Sequence, residues 1–146
     1  MIYCANPKEQ YLSYKDEIDS AIRSVLDSGW YILGREVEQF ENEFSTYNET
    51  AHCISVGSGT EAIHLALRAL KIGFGDEVIT TTHTAVATAS AIGLSGAKPV
   101  FVDIEPEYFT IDPSLIEGAI TSKTKAIIPV HIYGQPCDMD AILEIA

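Results

Sequence analysis

From about residue 52 onward the sequence alternates short β-rich runs with longer runs of helical spacing, and this alternation restricts the possible folds more than any other feature. The β-rich runs are 52–56, 77–81, 99–104 and 125–132; the helical ones are 60–71, 85–94, 114–120 and a last that begins near Met139. Strand-helix-strand repetition at this spacing predicts a parallel sheet with helices packed on it, because parallel neighbours need a crossover and cannot be joined by a tight turn. Gly73 and Gly75 are expected to stop the helix before the second strand, and Gly96 the one before the third. Asp112 followed by Pro113 predicts a helix start, an N-cap oxygen beside a first-turn proline. Upstream, residues 11–28 carry apolar positions at Tyr14, Ile18, Ile22, Val25 and Leu26, a helical spacing that ends at Gly29. A second short helix is expected after Gly34, with Val37, Phe40 and Phe44 on one face. The chain is thus divided into an N-terminal helical segment, 1–50, and an α/β part, 51–146. The last residues, 140–146, read as a helix cut off in its second turn, so the sequence is expected to be the first part of something larger.

With 9 basic against 21 acidic residues in 146, the net charge is −12 and the isoelectric point about 4.5. A protein that neutralises nucleic-acid phosphates needs a surplus of cations on one face, so no nucleic-acid partner is expected. No apolar run approaches the ~20 residues that span a bilayer, and no basic segment leads into an apolar one at the start. A cytoplasmic protein without a membrane partner is expected. Cys4, Cys53 and Cys137 are far apart and lack any C-x-x-C spacing, so they read as ordinary thiols rather than a disulfide or metal framework.

Where the first β-rich run meets its helix, the sequence reads Gly57-Ser58-Gly59-Thr60-Glu61-Ala62. Amides at a helix start are unpaired and aligned with the positive end of the helix dipole, so an anion is stabilised there. Ser58 and Thr60 add hydroxyl donors suited to a phosphate monoester. A plainer reading is that the glycines only make the turn and Thr60 only caps the helix. The G-x-G-x-x-A pattern also matches a dinucleotide fingerprint, but that site needs an acidic residue at the far end of the second strand. Thr80, Thr81, Thr82 and His83 stand there, and Glu77 lies at the other end.

In an open parallel sheet, ligands collect beyond the carboxyl ends of the strands. His83 has that address, as do Asp103 and Glu105 after the third β-rich run and His131 and Tyr133 after the fourth. Each also has an ordinary loop reading. His52 has no such address, and His64, within an apolar helix, is expected to be packed and hydrogen-bonded. Trp30, Tyr31, Ile32 and Leu33 form a bulky run between Gly29 and Gly34, fit either to cover a ligand or partner subunit or to pack under the first helix.

Taken together, SGWYILGREVEQFENEF from Ser28, the cradle VGSGTEAIHLALRAL, GDEVITTTHTAVATASAI, PVFVDIEPEYFTIDPSLIEGAI and KAIIPVHIYGQPCDMDAI resemble, in unbroken order, the N-terminal part of the nucleotide-sugar aminotransferases of DegT/StrS type. These depend on pyridoxal phosphate and share fold type I with aspartate aminotransferase. The resemblance implies an α/β three-layer sandwich with a mostly parallel sheet, the large-domain fold of that type, incomplete at the C-terminus. It implies pyridoxal 5'-phosphate as cofactor, its phosphate held by Gly59 and Thr60 with Ser58 beside them. It implies transfer of an amino group from an amino acid, usually glutamate, to a keto-sugar on a nucleotide, and a homodimer whose sites the loop at Trp30 and Tyr31 would reach. A sugar dehydratase on the same scaffold and a non-catalytic truncated relative are the alternatives.

Members commonly carry an aromatic residue two places after His83, to stack on the pyridine ring, and this chain has Ala85. Either His83 takes over the stacking, or the ring is held less tightly on that face. The Schiff-base lysine and the aspartate that pairs with the pyridine nitrogen are expected beyond Ala146. Lys71, Lys98, Lys123 and Lys125 fall on a helix end or on strand starts, away from the crevice.

Overall fold

In the computed structural model, which describes residues 5–146, helix formation begins at Asn6 and Pro7. The Asn6 side chain accepts from the Glu9 amide, and the proline occupies the first turn of α1 (Pro7–Ser13), where a missing N–H costs nothing. The helix expected over 11–28 is therefore two helices. Tyr14, at φ −121°, separates α1 from α2 (Lys15–Ser28). The Ser13 hydroxyl donates to the Glu9 carbonyl at 2.9 Å, a back-bond that competes with the helical ladder. Gly29, at φ 69°, ends α2 as expected, and α3 (Arg35–Tyr47) follows Gly34. Phe40 and Phe44, one turn apart, stack with centroids 5.4 Å apart.

The chain divides into two units, Met1–Ser55 and Val56–Ala146. Among the described residues, every buried apolar side chain belongs to the second unit. There β1 (Glu77–Thr81), β2 (Lys98–Val102) and β3 (Thr124–Ile127) form a parallel sheet in the order β2-β1-β3. All five residues of the central strand are buried. Successive strand residues face opposite ways, so adjacent Val78 and Ile79 enter different cores. Val78 packs with Leu67, Ile72, Ile92 and Ala97, under α4 (Gly59–Ala69) and α5 (Val86–Ser95). Ile79 packs with Val102, Ile111, Ile116, Cys137 and Ile142, under α6 (Pro113–Ala119) and α7 (Met139–Ile145). This is the expected three-layer α/β arrangement. Asp112 caps α6 by accepting from the Ser114 amide.

Four local expectations differ from the structure. Residues 52–56 form no strand and Ile54 is 77% exposed, since extended backbone without a ladder partner is not a sheet. The strand expected over 99–104 ends at Val102, and that over 125–132 ends at Ile127, although the Ile128 amide still donates to the Ile79 carbonyl at 2.8 Å. The end of α4 is made by Lys71 at φ 61° rather than by glycine. The Ile72 amide reaches the Leu67 carbonyl at 2.9 Å and the Lys71 amide the Arg68 carbonyl at 3.0 Å, a Schellman closure sealed by Leu67 against Ile72. Gly73 and Gly75 belong to the next turn. Gly96 is needed where it stands, since at φ 90° a Cβ would lie 3.3 Å from the Phe74 amide nitrogen.

At the amino ends of the strands, Glu77 ties the sheet together. Its carboxylate accepts from the Lys98 ammonium at 3.0 Å and from the Thr121 hydroxyl at 2.6 Å, while its amide donates to the Lys123 carbonyl at 2.8 Å. The Thr121 hydroxyl, then Lys98, hold the Glu77 carboxyl below its ordinary 4.5 against the opposing effect of burial. A carboxyl with a depressed folded pKa contributes stability above its unfolded value, and this is lost as pH falls through the folded one. Urea midpoints measured from pH 6 down to 3 should therefore drop more steeply below about 4.5 in the wild-type protein than in Glu77→Gln. At neutral pH, Ile79→Ala should lower unfolding free energy by about 2–5 kcal/mol, the cost of a cavity in a fully packed core, in the same urea titration.

Candidate functional site

The second unit gathers its candidate residues at one edge. The turn after α4 abuts the end of α5, with a Cβ on Gly73 falling 3.1 Å from the Ser95 carbonyl oxygen. The Lys98 amide that opens β2 donates to Asp76 just before β1. Both helices thus finish at the amino edge of the sheet. Since α4 has eleven residues at about 1.5 Å each, and β1 has five at about 3.3 Å each, α4 spans the strand's height. Its first turn lies on the carboxyl side, where the loops after the strands emerge.

That first turn is built as a cap with donors to spare. Ser58 is the N-cap, its hydroxyl oxygen accepting from the Glu61 amide at 3.2 Å. The Glu61 carboxylate accepts from the Gly57 amide at 2.7 Å, close to a capping box. The plainer reading of the motif is therefore correct as far as it goes, except that Ser58 and not Thr60 is the cap. The amides of Gly59 and Thr60 have no acceptor among the described residues, and the Ser58 hydroxyl, having accepted, retains its proton to donate. A Cβ on Gly59 would meet nothing within 4 Å. This open cradle at the positive end of an eleven-residue helix fits a phosphate group.

His83 lies in the loop after β1, its amide donating to the Thr81 hydroxyl at 3.2 Å. The Thr84 amide donates to the Thr82 carbonyl at 3.0 Å, the Thr84 and Thr88 hydroxyls lie 2.8 Å apart in a hydrogen bond, and Ala85 is the extended N-cap of α5. The His83 imidazole meets two rings from other loops. The Tyr133 hydroxyl is 3.3 Å from its Nε2, with that ring edge-on at 5.8 Å, and Phe109 lies tilted at 6.3 Å. Phe109 and Tyr133 both have positive φ, 62° and 57°, which costs a bulky residue about 1–2 kcal/mol.

Asp103 and Glu105 turn carboxylate oxygens to amides of their own loop. The Asp103 carboxylate accepts from the neighbouring Ile104 amide at 2.8 Å. The Glu105 carboxylate accepts from the amides of Glu107, Tyr108 and Thr110 at 2.7, 2.8 and 3.3 Å. Burial raises the Glu105 carboxyl, but these amides together outweigh it and hold the group below its ordinary value. The carboxylate shapes the loop that presents Phe109. That residue is the one member of the ring cluster that sequence reasoning missed: its signal is the string of amides around Glu105, which no spacing rule encodes. His131 Nδ1 accepts from the Cys137 amide at 3.0 Å, a bond that folds the loop after β3. His64 is half-buried in α4 with no side-chain partner among the described residues, so the expected hydrogen bond is not made. Lys71 follows α4, and Lys98, Lys123 and Lys125 lie at strand starts, all on the amino side.

In the first unit, the loop at residues 30–33 is folded on itself. Trp30 Nε1 donates to the Ile32 carbonyl at 2.8 Å and the Tyr31 hydroxyl to the Leu26 carbonyl at 3.1 Å. Trp30, Tyr31, Ile32 and Leu33 remain 62–79% exposed. Within their unit they do not pack beneath the first helix.

Comparison with known proteins places this arrangement. Residues 13–146 match the DegT/DnrJ/EryC1/StrS aminotransferase family model. A dTDP-3-amino-3,4,6-trideoxy-alpha-D-glucose transaminase of Streptomyces venezuelae is 51% identical over 95% of this chain and 37% of its own length. A UDP-2-acetamido-2-deoxy-3-oxo-D-glucuronate aminotransferase of Pseudomonas aeruginosa is 49% identical over the whole chain and 41% of its own length. The crystal structure of S. venezuelae DesV in complex with a ketimine intermediate is similar with a TM-score of 0.94 at 50% identity, over 97% of this chain and 38% of that one. The chain therefore spans about two fifths of the length of these relatives. With the family model matched over residues 13–146, the chain belongs to the DegT/DnrJ/EryC1/StrS aminotransferase family.

Proposed function

We propose that this chain is the cofactor-phosphate-binding part of an enzyme that moves an amino group from an amino acid, glutamate by the family's habit, to a nucleotide-linked keto-sugar in polysaccharide or antibiotic assembly. The observation that carries the reading is the open first turn of α4, with the Gly59 and Thr60 amides lacking acceptors and space above Gly59. The group that fits is pyridoxal 5'-phosphate, which when bound supplies an electron sink for the pair released at the amino acid's Cα.

The chain's own residues bind and orient. Gly59 and Thr60 donate amides to the phosphate, and the Ser58 and Thr60 hydroxyls donate to further oxygens. Glu61 engages Gly57, which leaves those donors free of an internal anion. His83 is the aromatic residue of the loop at the cofactor-ring side and takes the place that Ala85 leaves vacant. Lys71, Lys98, Lys123 and Lys125 have no part, because they lie at the opposite edge. The whole protein is read as a cytoplasmic homodimer, the dimer supported by the exposed apolar run at Trp30 and Tyr31.

Loss of one hydrogen bond to a charged group costs about 1.5–3 kcal/mol. Thr60→Ala should therefore weaken pyridoxal phosphate binding by roughly ten- to a hundredfold, read by fluorescence titration. Gly59→Val, with room for its side chain in the protein alone, should keep its urea midpoint and still lose affinity. Unchanged dissociation constants in both variants would sink the assignment. Sedimentation equilibrium of the full-length protein should give a dimer mass, and paired replacement of Trp30 and Ile32 by serine should shift it toward monomer.

A further inference from the structure

We propose that Tyr133 is a positioning residue for His83, fixing the plane of the imidazole so that it serves the cofactor ring in place of the aromatic side chain absent at Ala85. This rests on the cofactor reading above and goes beyond it.

The backbone on both sides of His83 is pinned, its own amide by the Thr81 hydroxyl and the Thr84 amide by the Thr82 carbonyl at 3.0 Å. The ring itself is not, because the terminal torsion of histidine is broad and has no sharp staggered minimum. Orientation must come from what the ring touches. Two rings touch it, each from a separate loop at the carboxyl edge: Tyr133 edge-on at 5.8 Å and Phe109 at 6.3 Å. Only Tyr133 adds a directional contact, its hydroxyl 3.3 Å from Nε2. The phenol hydroxyl both donates and accepts, so it can pair with Nε2 in either tautomer, and the contact holds the ring in one plane. Tyr133 is itself held in an uncommon conformation at φ 57°, followed by Gly134 at φ 80°. Two consecutive left-handed residues turn the chain sharply, and this turn brings the phenol back toward the loop after β1. The Glu105 carboxylate, by gathering the amides of Glu107, Tyr108 and Thr110, does the equivalent for Phe109. Two loops thus converge on a ring carried by a third.

The test is a double-mutant cycle on the full-length protein, with Tyr133→Phe, which keeps the edge contact and loses the hydroxyl, and His83→Ala. Pyridoxal phosphate affinity is read by fluorescence titration, inorganic phosphate affinity by competition, and the His83 nitrogens by NMR of 15N-histidine protein, assigned through the His83 variant. Tyr133→Phe should weaken pyridoxal phosphate about three- to tenfold, leave inorganic phosphate within twofold, move the His83 nitrogen shifts through loss of the hydroxyl contact at Nε2, and have no further effect when His83 is alanine. Additive losses, or nitrogen shifts that do not move, overturn the inference. Unchanged affinity in His83→Ala also overturns it and leaves the phosphate cradle standing, which Thr60→Ala tests by itself. A urea midpoint for Tyr133→Phe near wild type excludes a folding effect, and Tyr133→Leu, lacking ring and hydroxyl, should lose at least as much affinity as Tyr133→Phe.

Discussion

Burial of β1 on both faces is the constraint from which the second unit follows. A strand with five consecutive buried residues needs a neighbour on each edge for its amides and carbonyls and a helical layer on each face for its side chains. Val78 and Ile79 supply opposite halves of that demand. Thr80 is buried without penalty because its hydroxyl donates to the Ile128 carbonyl at 2.9 Å, which extends the pairing to β3 past its last ladder residue. The parallel direction then sends the loops after all three strands to one edge, together with the first turn of α4. The location of the candidate site is a product of packing before any functional residue is considered.

At that edge, the same atoms serve stability and recognition. Ser58 and Glu61 close the helix end, and a helix closed this way keeps its remaining amides aligned. Preorganised donors do not have to be reoriented when an anion arrives, which is where fixed dipoles gain over water. The acidic character of the chain, −12 overall, makes this local positive end the more necessary for an anionic ligand.

Much of this was legible in the residues. Asp112 with Pro113 announced α6, Gly29 and Gly96 announced helix ends, and the glycine-serine-threonine turn announced the cradle. Asn6 with Pro7 carried the same signal as Asp112 with Pro113, and it sets the start of α1. What was not legible has physical reasons. Whether residues 52–56 are a strand depends on a neighbour, which a local pattern of apolar residues cannot supply. The left-handed Lys71 was hidden because its conformation is enforced by Leu67 meeting Ile72, a tertiary contact, and not by the residue's own preference. Phe109 joined the ring cluster through amides that converge on Glu105 at short range, a geometry that depends on turn angles rather than on spacing. His83 was placed correctly by strand direction alone, but its two ring partners come from loops 26 and 50 residues away in sequence.

The polar stitch around Glu77 lies at the amino edge, one strand length from the cradle. Lys98, Thr121 and the backbone at Lys123 hold three strands there without borrowing any atom from the loops on the far side. Those loops can lengthen, shorten or exchange residues over generations while the clasp beneath them stays intact. A scaffold fastened at one end and free to diversify at the other is open to new substrates at little risk to its own folding, and the dTDP-linked and UDP-linked sugars in the names of its relatives are the kind of divergence such an arrangement permits.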